Sequence, residues 1–460
     1  MTGCNSCKGN IKASKAVKIV DTTITRIGEI IKEHPNEKLE SLAHLINVKT
    51  LEESHKRAQR NKATGVDGVT KEEYQENLEK NLEDLVARMK RQAYKPQPVR
   101  RVMIPKAGSN KMRPLGIPAY EDKLVQDVLS QILTQIFEPI FLDCSYGFRP
   151  NRNCHMALAK LERILNKKKI NYIVDADIKG FFDNVNHDKV IEMLETRIKD
   201  PNILRLIKRF LIAGVMDKGI VEETEKGTPQ GGLISPILAN LYLHYTIDLW
   251  FDKKVKGQFK GEVDMVRYAD DFVCCFQYKE EAEKFYEMLK ERLTKMGLEV
   301  AEDKTKIIEF GRFAEKNIKE RTNGKEKPKT FDFLGFTHYC SKGKMGKFRT
   351  KRKTSKKKFD AKVKAMRKWV KENMHKPVKN IIKMLNSKLT GHYNYYGITD
   401  NYETIRAFYR LARRILKTTL SRRSQKGVIS WERFNKIIKR YPIVEPRIKV
   451  DIVRMAMNMT

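Results

Sequence analysis

The sequence has little cysteine and no long apolar run. Seven cysteines among 460 residues do not form a disulfide framework. Cys4 and Cys7 make a single Cys-x-x-Cys pair without a second pair, which is too little to predict a zinc site. No run of about 18 apolar residues is present and no apolar signal segment follows Met1, so we expect a cytoplasmic protein without a membrane partner.

Acidic residues are scarce relative to basic ones. The chain has 57 Asp and Glu against 93 Lys and Arg, a net charge of +36, which predicts a polyanionic partner. The excess is densest in 341–371, where fifteen basic residues surround one acid, Asp360, with Phe348, Phe359 and Trp369 interleaved. Such a run binds phosphates by releasing counterions, or it is a solvated tail. Because apolar residues at helical spacing follow, we predict a linker that enters a basic helix.

Two segments with carboxylates carry the strongest chemical signal. The tetrapeptide Tyr-Ala-Asp-Asp that ends at Asp271 lies between short apolar runs, which predicts a β-hairpin with carboxylates at its tip. Upstream, an apolar strand ends at Asp177. Two adjacent Asp residues between apolar runs often form only a solvated turn. One Asp from each strand, however, suits Mg²⁺, which prefers oxygen ligands and few protein carboxylates beside phosphates. Asp177, Asp270 and Asp271 are therefore the predicted catalytic residues, and Asp177, Ile178 and Asp270 the predicted metal site. Asp175 and Asp271 are either supporting or simply solvated.

Further blocks appear in a fixed order, and together they resemble the group II intron reverse transcriptase and maturase family. The blocks are 106–118 (KAGSNKMRPLGIP), 145–152 (SYGFRPNR), 177–183 (DIKGFFD), 227–236 (GTPQGGLISP), 268–272 (YADDF), 297–305 (GLEVAEDKT) and 333–336 (FLGF). The resemblance covers roughly residues 55–340 without a gap. Their order is more specific than any single block.

The resemblance implies an α/β (α+β) fold with right-hand polymerase architecture. Fingers and palm would combine an antiparallel sheet with helices, followed by an α-helical thumb that is called domain X in maturases. The implied activity is an RNA-directed DNA polymerase encoded by a group II intron, which uses two Mg²⁺ ions and binds intron RNA to assist splicing and mobility. Its implied partners are intron RNA, an RNA template with a DNA primer, target DNA and deoxynucleoside triphosphates. The oligomeric state stays open, with a dimer as one alternative.

Length also indicates several domains, because 460 residues exceed the size of one core. The predicted divisions are a helical leader (1–50), fingers and palm (51–340, with an amino-terminal extension to about 95), a thumb or domain X (341–425) and a small DNA-binding segment (426–460). The aromatic cluster 391–397 (GHYNYYG) resembles a hallmark of domain X.

Relatives that cut the second DNA strand carry a cysteine-rich nuclease domain. Here only Cys340 follows Cys275, so we expect no endonuclease domain.

The blocks also suggest nucleotide-binding residues. Lys106 and Arg113 lie on a glycine-containing connection whose cations could fold over a triphosphate or face solvent or template. Gln230 lies in a glycine-rich segment that either lets a base pair approach closely or forms a plain turn. The resemblance places Phe182 under the sugar of an incoming deoxynucleotide, and Lys304 near the triphosphate. Taken alone, Phe182 would be a core residue and Lys304 an exposed lysine in a turn.

Basic residues of the predicted thumb are the candidates for RNA binding. In α-helical geometry, arginines spaced by three or four residues share one side of a helix. The predicted RNA-binding residues are Lys351, Arg352, Lys353, Lys356, Arg367, Arg406, Arg410 and Arg413.

Two other functions remain open from the sequence. The chain could be an RNA-binding splicing factor with a relic polymerase fold, although Asp177, Asp270 and Asp271 are all retained. It could also be a free-standing reverse transcriptase in a host or defence role. The long predicted thumb and the basic carboxyl-terminal segment favour the intron-encoded function.

Overall fold

The computed structural model describes residues 24–34, 37–105, 112–217, 220–222, 226–227, 231–323, 325–343, 346–423 and 428–459. The candidate residues Cys4, Cys7, Lys106 and Gln230 lie outside these ranges. Among the helices in the described ranges, none combines the length and the apolarity needed to cross a bilayer.

Helices and mostly antiparallel strands make up the described chain, which confirms the predicted α/β (α+β) class. The helices are α1 (24–33), α2 (Val48–Arg57), α3 (Lys71–Glu76), α4 (Leu78–Lys90), α5 (Tyr120–Phe137), α6 (Cys154–Lys167), α7 (Phe181–Asn184), α8 (His187–Glu195), α9 (Pro201–Ile212), α10 (Ser235–Leu243), α11 (Lys279–Lys295), α12 (Ala314–Thr322), α13 (Lys356–Glu372), α14 (Val378–Tyr396), α15 (Tyr402–Ser421), α16 (Trp431–Arg440) and α17 (Ile452–Met457). The strands are β1 (Val99–Pro105), β2 (Met112–Ile117), β3 (Tyr172–Ala176), β4 (Val215–Asp217), β5 (Ile220–Glu222), β6 (Val263–Tyr268), β7 (Asp271–Phe276), β8 (Lys306–Glu309), β9 (Phe331–Phe333), β10 (Phe336–Lys342) and β11 (Phe348–Thr354).

The central sheet has the strand order β6-β7-β3-β8, and every pair in it is antiparallel. Its inner strands are apolar on both faces because both faces are covered. Side chains of successive residues point to opposite faces of a strand. Accordingly, Phe272 and Cys274 of β7 join one hydrophobic cluster with α5 and α10, whereas Val273 and Cys275 join a second cluster with α6.

A second sheet has the order β2-β1-β4-β5 and projects a hairpin. β1 and β2 pair antiparallel, and β1 pairs with β4 in parallel. Met103, Ile104 and Met112 near the tip of this hairpin are exposed. Before it, Asn47 and Thr70 each form a capping box that starts α2 and α3.

The third sheet, β9 to β11, joins the central sheet to the carboxyl-terminal helices. Leu334 and Gly335 form the two-residue turn between β9 and β10 with φ of +51° and +78°, as tight hairpins require. The predicted linker is wrong in part, because 348–354 pairs with β10 as strand β11 and only the helix α13 that follows was expected. β10 also crosses position 340, so a domain boundary there would cut a strand.

The second hydrophobic cluster continues from the central sheet into α13 to α17. It contains Ile173 of β3, Phe336 of β10, Leu389 of α14 and Phe434 of α16. α17 packs on α6, where Arg163 donates to the carbonyl of Met459. The described part of the predicted terminal segment is therefore packed onto the body of the protein.

Candidate active site

Strand register brings the predicted carboxylates together. Ala176, the last residue of β3, pairs with Phe272 of β7, so the next position places Asp177 beside Asp271. Tyr268 pairs with Asp271 and closes the hairpin, and Ala269 and Asp270 form its turn. The predicted hairpin with carboxylates at its tip is confirmed.

Mutual repulsion and burial make this cluster electrostatically strained. Burial raises the pKa of Asp175 to about 7, with further increases from Asp332 and Asp177. Burial likewise raises the pKa of Asp271 to about 7, and Asp175, Asp270 and Asp177 add to the effect. A cation bound here would relieve that repulsion.

The donor set suits a hard divalent cation. Asp177, Asp270 and the backbone carbonyl of Ile178 would supply only oxygen, the ligand that Mg²⁺ prefers. Within the described ranges, no three His, Cys, Asp or Glu side chains are grouped so that they could bind a metal by themselves. Mg²⁺ in proteins usually keeps several waters and substrate phosphates as further ligands.

Lys304 lies directly on this cluster. Its ammonium forms an ion pair with the carboxylate of Asp177, and both side chains are partly exposed. The hydrogen bond that Lys304 donates to Asp177 raises the pKa of the lysine, so Lys304 remains charged. The backbone carbonyl of Asp177 also accepts a 2.8 Å hydrogen bond from the amide of Ala301, which fixes the end of β3. Contact of Lys304 with a triphosphate stays a prediction.

A buried arginine supports the turn, and the sequence analysis did not find it. Arg267 of β6 is fully buried and forms a bidentate ion pair with the equally buried Asp248. Its Nη1 donates to the carbonyl of Ala269 at 3.0 Å and to Oδ1 of Asn240 at 3.1 Å. Ala269 has φ +57°, a conformation that needs support in a residue other than glycine. Arg267 therefore holds the backbone that presents Asp270.

The loop before Phe148 packs on the same turn. A Cβ atom on Gly147 would lie 2.4 Å from the amide nitrogen of Ala269, so only glycine fits. Asn240 donates to the carbonyl of Gly147 at 2.7 Å. The second sequence block is thus part of the wall of the site.

The predicted nucleotide-binding residues lie on different elements. Phe182 is half-buried on α7, where its ring packs edge-on against Phe181 with 5.2 Å between ring centres. Gly227 has φ +90°, and a Cβ atom there would lie 2.9 Å from the carbonyl oxygen of Phe182. Arg113 is exposed on β2, opposite Ile104. The glycine-rich block thus begins against the aromatic residue, but contact with a nucleotide stays a prediction.

A basic groove opens beside the carboxylates. A cavity of about 750 Å³ is lined by Asp271, by the Leu334–Gly335 turn and by residues of α13, α14 and α15. Its lining includes Lys358, Lys362 and Lys388. A cavity of about 810 Å³ between α2, α4 and α9 is larger, but none of the carboxylates lines it. The basic groove, which has Asp271 in its lining, is therefore the smaller of the two cavities.

Most of the predicted RNA-binding residues are accessible. The exposed ones are Lys353, Lys356, Arg367, Arg406 and Arg410. Lys351 and Arg413 are half-buried, and Arg413 donates to Asn435 of α16 at 3.0 Å. Arg406, Arg410 and Arg414 form an exposed line along α15, which we call the α15 arginine strip.

The prediction that Arg352 binds RNA is wrong. It is fully buried and forms an ion pair with Glu162 of α6. Alternate residues of β11, Thr350, Arg352 and Thr354, face the interior, and the residues between them face outward. A linker was predicted at this position, and that prediction gave no reason to expect a buried face.

Comparisons with known proteins identify the family of the chain. Residues 104–338 match the family model of the reverse transcriptase (RNA-dependent DNA polymerase). The chain is 31% identical over 441 residues to the group II intron-encoded protein LtrA of Lactococcus lactis subsp. cremoris, covering 80% of this chain and 72% of LtrA.

Two further relatives match shorter segments. An uncharacterised 91 kDa protein in the cob intron of Schizosaccharomyces pombe is 38% identical over 189 residues, 41% of this chain and 23% of that protein. Protein YkfC of Escherichia coli strain K12 is 34% identical over 237 residues, 45% of this chain and 62% of YkfC. With the family model covering half of the chain and LtrA matched over most of its length, this chain belongs to the group II intron-encoded reverse transcriptases and is an RNA-directed DNA polymerase.

Proposed function

We propose that this enzyme copies RNA into DNA with two Mg²⁺ ions held by Asp177, Asp270 and the carbonyl of Ile178. Reverse transcriptases generally use a divalent metal, and their partners are RNA and DNA. The observation that carries the proposal is the register of β3 and β7, which puts Asp177 beside Asp271 and next to the Ala269–Asp270 turn. When bound, the ions would supply Lewis-acid activation of the primer hydroxyl and neutralise the triphosphate.

The protein's own residues would orient the reactants. Asp271 carries a raised pKa and lies where the groove begins, so it would support the site at the primer end. Phe182, half-buried over the core, would lie under the sugar of the incoming deoxynucleotide. Arg113 and Lys304 would balance the charge of the triphosphate, and Lys304 would offer its proton to the leaving pyrophosphate. Lys106 and Gln230 lie outside the described residues, and their contact with the nucleotide stays a prediction from the resemblance.

Primer extension on a long RNA template tests the metal site. Asp270→Ala should abolish extension while it leaves RNA affinity unchanged, because the substitution removes a ligand and not a surface cation. Asp264→Asn is the matched control, since Asp264 lies on β6, the strand that leads to the Ala269–Asp270 turn, and pairs with Lys168 at 2.6 Å. Extension by Asp270→Ala would refute the assignment of Asp270. Absence of extension by the wild-type protein would refute the polymerase mechanism.

We further propose that the protein binds its own intron RNA and assists splicing. The α15 arginine strip and the exposed cations of α13 support this, because RNA is bound through phosphates and recognised by shape. The intron RNA performs the chemistry, so the protein would only stabilise its folded form. Splicing of a group II intron RNA at limiting Mg²⁺ should be stimulated by the wild-type protein and by Asp270→Ala. Stimulation that vanished in Asp270→Ala would refute a separate splicing role.

The terminal segment and the location complete the proposal. α16 has Lys436, Lys439 and Arg440 among its exposed or half-buried residues, which suits contact with target DNA. A cytoplasmic location would give the protein access to both nucleic acids. Loss of DNA-target binding, with RNA binding retained, is the expected result of replacing these three cations by glutamine.

A further inference from the structure

Phe148 combines two unfavourable features. Its side chain is 54% exposed, although an aromatic ring normally gains stability by burial. Its backbone has φ +56°, in the left-handed region that glycine adopts easily and that bulky residues avoid. Packing in the core does not compensate for these features, because Phe148 belongs to neither of the two hydrophobic clusters.

The neighbours of Phe148 impose this conformation from both sides. On one side, the carbonyl of Gly147 accepts a hydrogen bond from the buried Asn240. On the other side, the guanidinium of Arg149 is buried and donates to the carboxylate of Glu138 and to the carbonyls of Leu142 and Ser145. Backbone strain held in place by its surroundings is a feature of functional sites.

The same loop places Phe148 next to the Ala269–Asp270 turn, which we call the catalytic turn because the proposed function places the metal ligand Asp270 there. The amide of Tyr146 donates to the carbonyl of Arg267 at 2.9 Å, and the amide of Arg267 donates to the carbonyl of Cys144 at 2.8 Å. Gly147 then contacts Ala269, the residue before Asp270. Phe148 therefore leaves the loop at the catalytic turn and exposes its ring to solvent there.

We propose that Phe148 contacts the RNA–DNA duplex at the catalytic turn and packs its ring against a base pair near the primer end. The contact rests on the proposed function, because it requires the primer to end at Asp177 and Asp270. An aromatic face interacts with any base, so the contact would be tolerant of sequence. The strain is explained as the means by which the loop keeps the ring exposed at this position.

Glycine and asparagine at position 148 separate a binding role from a structural one. Phe148→Gly and Phe148→Asn suit the left-handed backbone, so the melting temperature should be unchanged or higher. Duplex affinity, measured by fluorescence anisotropy without nucleotide, should fall at least about fivefold, and KM for primer–template should rise by a similar factor. Phe148→Trp should retain the wild-type duplex affinity and KM, because it keeps an aromatic face at this position.

Phe313→Gly is the matched control. Phe313 is 47% exposed with an ordinary φ of −100°, and it lies before α12. Its replacement should leave duplex affinity unchanged. Wild-type affinity and KM in both Phe148 variants would overturn the proposal, as would an equal loss in Phe313→Gly. Because anisotropy needs no catalysis, failure of extension by the wild-type protein would count against the polymerase mechanism and leave the binding comparison intact.

Discussion

Removing one partner of the buried ion pair beneath the catalytic turn should destabilise the protein strongly. Arg267 and Asp248 are both fully buried, and Arg267 is bonded to Asp248 through Nε and Nη2. Asp248→Asn would leave a guanidinium without its countercharge in the interior. Breaking a buried pair in this way costs about 3–5 kcal/mol. The neighbouring His244 cannot replace the lost carboxylate, because an imidazole carries no negative charge. Burial lowers the pKa of His244 to about 4 and keeps it neutral, so it adds no second positive charge beside Arg267.

Urea denaturation and primer extension together measure this effect. Asp248→Asn should lower the free energy of unfolding by about 3–5 kcal/mol and reduce extension. The double variant Arg267→Met with Asp248→Leu removes both charges and should recover most of the stability, since apolar pairs of similar volume are often neutral replacements. It should not recover extension, because the hydrogen bond from Arg267 to the carbonyl of Ala269 is still missing.

Two results would contradict this reasoning. A loss below about 1 kcal/mol in Asp248→Asn would mean that the pair is worth no more than a surface pair. Full extension by the double variant would mean that Arg267 does not hold the turn. Glu40→Gln is the control, because it removes an exposed pair with Lys199 and should leave the unfolding curve unchanged.

Three further expectations concern other parts of the protein. Gly147→Ala should cost about 1–3 kcal/mol in urea denaturation and reduce extension, because its Cβ atom would clash with Ala269. Burial raises the pKa of Asp122 to about 6 from 3.8, so its contribution to stability is lost as pH rises through 6; Asp122→Asn should remove about 3 kcal/mol of that pH dependence in thermal unfolding. Replacing the three residues of the α15 arginine strip by glutamine should reduce the slope of log affinity against log salt by about 2 for single-stranded RNA in a KCl titration.

The sequence predicted the carboxylate-bearing hairpin β6–β7 well because local chemistry determines it. Alternating burial cannot be seen in β7, where five apolar residues follow Asp271, yet a short apolar run on each side of an acidic pair suffices to predict two strands and a turn. The predicted partner strand was also correct, since β3 ends at Ala176 and Asp177 follows it directly. What the pattern could not give is the register, which decides that Asp177 meets Asp271.

Supporting residues were missed because long-range packing creates them. Arg267 lies one residue before the tetrapeptide, and nothing in its neighbourhood distinguishes a buried arginine from a surface one. Its partner Asp248 lies 19 positions away in an irregular, π-helical continuation of α10. Arg352 is the opposite case, because a dense basic run suggested RNA contact, whereas in the structure Thr350, Arg352 and Thr354 form the buried face of β11. Threonine and arginine are polar, so no apolar alternation in the sequence signalled that face.

The second hydrophobic cluster explains why the predicted thumb is not separable from the catalytic sheet. The face of β3 and β7 that carries Asp175 and Asp271 also carries Ile173, Val273 and Cys275, which belong to the same cluster as the buried residues of α13 to α17. Because side chains alternate along a strand, the residues that align the carboxylates and those that anchor the carboxyl-terminal helices share one face. A shift of those helices would therefore move the floor of the basic groove and the carboxylates at its end together. This packing connects the surface that would hold RNA directly to the residues that would extend the primer.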